Sequence, residues 1–177
     1  KTRPTTLHRS FTRRPIGIFD SGLGGLTVVR EVRRKLPHES ILYFGDIARL
    51  PYGIKSTRQI QAFSIENAEF LLRHKVKALV IACNSSSSAA YRFLKKKLPV
   101  PVVDVLTPAV HEAVKLTKTN RIGLIATQAT IESGAYQKAL LKLKPRMKFV
   151  GQACPLFVPL VEAGWLREKV TTAIVRQ

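Results

Sequence analysis

The sequence predicts an α/β fold with a mostly parallel sheet, and three observations carry that prediction. Short β-prone runs are apolar on both faces, as strands covered from two sides must be. Segments of helical length and period separate these runs in regular alternation. The chain has 177 residues, 45% of them hydrophobic, which is enough to bury a sizeable core.

Strands are expected at Ile16 to Phe19, Ile41 to Phe44, Ala78 to Ala82, Val100 to Val105, Ile122 to Ala126 and Phe149 to Ala153. Between the first two, Gly25 to Leu36 carries Leu26, Val29 and Val32 on one stripe. Ser56 to Arg73 reads as a helix with Ser56 as N-cap and Ile60, Phe63, Phe70 and Leu71 facing inward. Ser86 to Leu98 puts Ala90, Phe93 and Leu94 on one side. Lys97-Leu98-Pro99-Val100-Pro101 is a candidate hinge between two α/β units. Thr107-Pro108 has the form of N-cap and first position of a helix running through Lys115. Ile131 to Leu143 supplies another, and a last amphipathic segment holds Val170 and Ile174. The chain lacks an initiator methionine and stops at Gln177 within that last segment, with no cap or stop signal, so it is expected to be incomplete.

Composition narrows the function classes. The longest apolar runs, such as Ala78 to Ala82, are too short to span a bilayer, so no membrane association is expected. Lys1 to Arg14 is a basic tail without the apolar stretch of a secretory signal. Two cysteines make no disulfide framework, and a reducing cytoplasm is the expected setting. Lysine and arginine number 30 against 11 acids, a net charge of +19 that could attract nucleic acid. No aromatic RNA-binding signature, zinc-finger spacing or helix-turn-helix pattern accompanies it, so a solvated basic surface is the favoured reading.

In parallel α/β sheets, ligands bind outside the carboxyl ends of the strands. The first such end is Asp20-Ser21-Gly22-Leu23-Gly24-Gly25, and the second is Gly45-Asp46 continuing to Pro51-Tyr52-Gly53. The third is Cys83-Asn84-Ser85-Ser86, and the fifth leads to Thr127 and Thr130. A carboxylate, hydroxyls, a thiol and an amide thus gather on one edge, a polar site for an anion and an ammonium. Cys83 precedes a helix whose first-turn N–H groups would stabilise a thiolate, lower its pKa and hold a substrate carboxylate. On spacing alone, a small buried hydrophobe at a strand end is the stronger reading of Cys83.

Other chemistries lack their residues. A cysteine hydrolase needs a base, and no histidine stands at a strand end: His8, His38, His74 and His111 fall in the tail, a turn or helices. Gly22, Gly24 and Gly25 do not have dinucleotide-fingerprint spacing, and Asp20 there also reads as a helix cap. Asp46 reads as a partner of Arg49. No metal-ligand cluster is present in the spacing of the cysteines and histidines.

Taken in order, these segments resemble the bacterial glutamate racemases of the aspartate/glutamate racemase superfamily. Asp20 to Val28 resembles their opening motif, and Tyr43-Phe44-Gly45-Asp46 with Ala48-Arg49 and Pro51-Tyr52-Gly53 resembles the second. Ala82-Cys83-Asn84-Ser85 is similar to the segment around the first catalytic cysteine. Ala126-Thr127 with Thr130, Ser133-Gly134 and Tyr136 fits the next, and Cys154 to Glu162 the one after. The resemblance begins at about Pro15.

It implies a two-cysteine, cofactor-independent and metal-free interconversion of L- and D-glutamate, supplying the D-isomer for peptidoglycan. It implies three-layer, parallel-sheet domains, two of them similar. Here the basic tail would be residues 1–14, the first domain 15–98, and a truncated second domain 99–177. Carried over by motif position, Cys83 is a proton-transfer base and acid. Asp20 assists it or binds the substrate ammonium, and Ser21, Tyr52, Gly53, Asn84 and Ser85 hold the substrate's polar groups. Ser85 stands where the family commonly has threonine, and the segment of the second catalytic cysteine is missing from the 177 residues. Cys154 matches a different segment and is expected to be a core thiol. These residues alone are therefore expected not to racemise glutamate at a normal rate. Glutamate is the expected small-molecule partner, with a homodimer as an open oligomeric expectation. An aspartate racemase-like enzyme and a catalytically inactive binding protein stand as the alternatives.

Overall fold

The computed structural model describes residues 13–176, so the expectations placed on most of the basic tail, including His8, lie outside it. A parallel four-stranded sheet has the order β2-β1-β3-β4, formed by Ile41–Gly45, Ile16–Asp20, Ala78–Ile81 and Val102–Asp104. A parallel pair, β5 (Arg121–Ala126) and β6 (Lys148–Ala153), forms a second sheet. The central strand β1 is buried at all five residues. Its register sets Ile18 against both Tyr43 and Val80, and Phe19 against Phe44 and Ile81.

The two faces of β1 enter two different packing clusters, as a period of two requires. Phe19 joins Leu79, Ile81 and Val102 beneath α2 (Thr57–Arg73) and α3 (Asn84–Lys97), which contribute Ala68, Leu71, Ala90 and Leu94. On the other face Ile16 and Ile18 meet Val28, Val29 and Val32 of α1 (Leu26–Lys35). The result is a helix–sheet–helix sandwich. Ser56 caps α2 as its sequence suggests, in a full capping box: its hydroxyl accepts from Gln59 N at 3.3 Å, and Gln59 Oε1 accepts from Ser56 N at 3.1 Å. In the second unit, α4 (Leu106–Leu116) and α6 (Ala135–Leu143) bury Leu106, Val110 and Leu140 against Ile122 and Phe149. Two short helices, α7 (Phe157–Glu162) and α8 (Lys169–Arg176), follow.

Several expectations change. The strand expected at Val100 to Val105 contracts to Val102–Asp104, because Pro101 has no N–H to donate; its carbonyl instead accepts from Leu79 N at 2.9 Å. That strand pairs with β3, so the division between the sheets falls after Asp104 and does not coincide with the expected boundary at residues 98/99. Thr107 does not cap α4, which begins at Leu106; the Asp104 carboxylate accepts from Thr107 N at 3.2 Å. The helix expected from Ile131 to Leu143 is two helices, α5 (Gln128–Glu132) and α6, parted at Gly134. Gly134 sits at φ +61°, a left-handed conformation that costs glycine little. Leu26 and Phe93 are 47% and 43% exposed, so neither faces inward as the stripes suggest. Among the described residues, no helix is long and apolar enough to cross a membrane.

Candidate active site

Local chain geometry places Cys83 first. It follows β3 in extended conformation and is itself the N-cap of α3, which starts two residues earlier than the sequence suggests. Its sulfur accepts from Ser86 N at 3.4 Å and donates to Ser21 Oγ at 3.5 Å. Ser21 comes from the turn after β1, and Asp20 just before it is buried. Asp20 Oδ2 accepts from Gly25 N at 2.8 Å and Gly22 N at 3.3 Å, so its helix-entry role is real. Both Asp20 and Cys83 also line a cleft of about 570 Å³.

The expected lowering of the Cys83 pKa is overturned. Burial pushes the thiol up, the neighbouring Asp20 charge adds to the rise, and the Ser21 and Ser86 hydrogen bonds offset them only partly. A helix N-terminus favours thiolate, but here desolvation and a like charge win. We expect Asp20→Asn, which keeps an acceptor for Gly25 N while removing the charge, to make Cys83 more acidic. Its iodoacetamide alkylation at fixed pH should then speed up relative to the unsubstituted protein; an unchanged or slower rate contradicts this coupling.

Tyr52 and Gly53 stand behind the cleft and do not line it. Tyr52 is 1% exposed and packs with Ile60 and Cys83. Its hydroxyl donates to Asp46 Oδ2 and accepts from Asn67 Nδ2 at 3.1 Å, so it is not a cleft donor. Arg49 Nε bonds Asp46 at 2.8 Å, as the sequence suggests, and its other nitrogens reach Glu66 and Asn67. This buried network supports the 3₁₀ turn Tyr52–Ile54, whose first N–H groups have no partner within the turn. Gly53 lies so near the second unit that a Cβ there would be 2.5 Å from Thr127 Cβ. Only a glycine lets the two units close to this separation.

Asn84 and Ser85, the first residues of α3, line the cleft as expected. They also join the two units: Ser85 Oγ is 3.1 Å from Thr127 Oγ1, which is 3.1 Å from Thr130 Oγ1. Tyr136 OH donates to Asn84 Oδ1 at 2.6 Å. The second unit contributes an apolar wall as well, with Val105, Leu124, Val158 and Val161, so the site is less uniformly polar than strand-end composition suggests. Cys154 is half-buried and lines the same cleft, a correction to its expected place in the core.

Glu162 and Tyr136 are the ionisable cleft residues, besides Cys154, that sequence reasoning did not assign to the site. Glu162 Oε1 approaches Gly22, at 3.5 Å from where a Cβ would stand. Burial, and then the negative groups Asp20, Cys83 and Glu162, hold the Tyr43 phenol well above its ordinary pKa, so it stays a donor, bonding Gly22 O at 2.7 Å. Asp20 ends β1 and Glu162 ends α7, the helix that follows β6, so applying the carboxyl-end rule to β6 points toward the segment that holds Glu162. Among the described residues, no lysine, arginine or histidine lines the cleft. Carboxylates of a ligand would therefore meet neutral N–H, amide and hydroxyl donors, and an ammonium would meet Asp20 or Glu162. Among the described residues no group of three or more His, Cys, Asp or Glu could hold a metal ion.

The family model described as Asp/Glu/Hydantoin racemase matches residues 26–176. The chain is 51% identical over 157 residues to a glutamate racemase of Syntrophus aciditrophicus, covering 89% of this chain and 58% of that protein. It superposes on a glutamate racemase of Francisella tularensis, solved with D-glutamate, with a TM-score of 0.87 and 43% identity over 92% of this chain and 61% of that one. A glutamate racemase of Thermus thermophilus, solved with β-chloro-D-alanine, gives a TM-score of 0.82 and 48% identity, covering 93% of this chain and 61% of that one. The chain thus spans roughly three fifths of the length of these relatives.

Proposed function

From the premise that the chain belongs to the Asp/Glu/Hydantoin racemase family, we propose that it forms the greater part of a glutamate racemase site, with Cys83 serving one face of the substrate α-carbon. The observation that carries this reading is the buried Cys83 thiol on the cleft wall, hydrogen-bonded to Ser21 and beside Asp20. The relatives' substrate makes glutamate the favoured amino acid over aspartate. The product D-glutamate would serve peptidoglycan synthesis. We set the reaction in the cytoplasm, since two free thiols suit a reducing compartment. A homodimer is carried with this reading as its oligomeric expectation.

The chemistry follows from the charges. An α-carbon hydrogen is weakly acidic, so its removal requires a strong base and stabilisation of the charge left on carbon and carboxylate. A thiolate of raised pKa is a stronger base than an ordinary one, although less of it exists at neutral pH. The substrate ammonium, entering beside Asp20, offsets the charge that disfavours ionisation of Cys83. The thiolate then takes the α-proton to become a thiol, and the electron pair passes toward the substrate carboxylate. Ser21, Asn84 and Ser85 are the proposed donors to the carboxylates. Neither a metal nor pyridoxal phosphate enters these steps.

Inversion needs an acid on the opposite face of the α-carbon. The β5–β6 pair repeats the β1–β2 pair, and Cys83 follows the strand on the other edge of β1. The corresponding acid would follow a strand on the other edge of β5, which has no partner there among the described residues. With Cys83 alone, a proton can be exchanged but not delivered to the opposite face. In D₂O, proton NMR is therefore expected to show α-proton loss from one glutamate enantiomer by this chain, with little inversion. Because the Cys83 pKa is raised and the thiolate is the reactive form, the rate should keep climbing with pH beyond the ordinary thiol value of 9.0. Equal exchange of both enantiomers, or a plateau below neutral pH, contradicts this scheme.

A further inference from the structure

We propose that Tyr136 is a positioning residue for substrate binding, acting through Asn84: it fixes the Asn84 side-chain amide so that its NH₂ group points into the cleft. The inference rests on the glutamate reading above and concerns a side chain outside the strand-end set to which binding was assigned.

An asparagine amide has two orientations that exchange its oxygen and its nitrogen, and only one presents donors to a carboxylate. Asn84 opens α3, where its side chain is exposed at the cleft rather than packed in a core. Packing therefore does not choose between the two orientations. Tyr136 OH, donating to Asn84 Oδ1 at 2.6 Å, does so by engaging the carbonyl end. The carboxylates of Asp20 and Glu162, which line the same cleft, favour the donor end on that side. With no cation among the described residues on the cleft wall, each neutral donor that faces a substrate carboxylate carries a large share of its binding.

Tyr136 is itself held by a built turn. Ser133 Oγ donates to Thr130 O at 2.7 Å and accepts from Ala135 N at 3.1 Å, bracketing the left-handed Gly134 and starting α6 in a set direction. The aromatic ring packs beside Leu106, Val110 and Leu140. Burial, and then the charge of Asp104, push the phenol pKa up, so the group remains a donor across the neutral range. Joining the two units does not by itself require this bond, because Ser85, Thr127 and Thr130 already connect them.

The test is isothermal titration calorimetry of the protein with L- and D-glutamate, on the unsubstituted form, Tyr136→Phe, Asn84→Ala and the double variant. Tyr136→Phe keeps the packed ring, and its thermal midpoint reports whether the fold is intact. Loss of one aligned hydrogen bond should weaken binding by about tenfold. The double variant should bind no more weakly than Asn84→Ala alone, because Tyr136 acts only through that amide. Unchanged affinity in Tyr136→Phe overturns the inference. So do additive losses in the double variant, which would mean that Tyr136 contributes independently of Asn84. If the unsubstituted protein binds neither enantiomer, the glutamate reading itself fails and takes this inference with it.

Discussion

Cys83→Ala is expected to lower α-proton exchange from glutamate by about 10²–10⁴-fold, the usual contribution of one positioned proton-transfer group. Glutamate affinity should change little, because the proposed donors to the carboxylates are on Ser21, Asn84 and Ser85. The substitution removes a small buried group whose neighbours, Tyr52 and Ile60, are anchored elsewhere. Exchange read by proton NMR in D₂O, together with affinity read by calorimetry, separates chemistry from binding. Cys83→Ser sharpens the test, since its hydroxyl can keep the contacts to Ser21 and Ser86 yet is far less acidic than a thiol. Exchange at the original rate in either variant would show that another group takes the proton.

Asp46→Ala is expected to destabilise the fold by about 3 kcal/mol, the cost of leaving the buried Tyr52 hydroxyl unsatisfied and of losing a charge-assisted hydrogen bond. Asp46 is 4% exposed and holds both the Arg49 guanidinium and the Tyr52 hydroxyl. Its removal leaves Tyr52 without an acceptor in a water-poor site, while Arg49 keeps Glu66 and Asn67. Tyr52→Phe should cost less, about 1–2 kcal/mol, because Asp46 then retains Arg49. Urea denaturation monitored by circular dichroism reads both losses. An Asp46→Ala cost below that of Tyr52→Phe would mean that the network beneath the 3₁₀ turn is held by Arg49 and not by the carboxylate. The prediction links fold to site, because this network lies directly behind Cys83.

Much of the architecture was legible in the chain. A strand buried on both faces must be an apolar run, so Ile16–Asp20 and Ala78–Ile81 announce themselves within a residue or so of their limits. Ser56 with Gln59 marks the start of α2 because a capping box is a local arrangement of four residues. The gathering of Asp20, Ser21, Cys83, Asn84 and Ser85 at strand ends also follows from parallel order alone. The break at Gly134 escaped, because an isolated glycine within an apolar period can be tolerated inside a helix as well as end one. The start of α3 at Asn84 escaped as well, since cysteine is not among the usual capping residues.

Sequence by itself determined the α/β alternation, the chemical inventory at the strand ends and the resemblance to racemases, all of which depend on residue type and short spacing. Tertiary structure alone decided the ionisation of Cys83, the second wall of the cleft and the partner of Asn84. Asp20 and Cys83 are 63 positions apart in the chain, as numbered, and Asn84 and Tyr136 are 52 apart. Charge repulsion, desolvation and a single hydrogen bond act over a few ångströms of space. The fold creates those distances, and they reversed the direction in which a helix N-terminus would have moved the thiol.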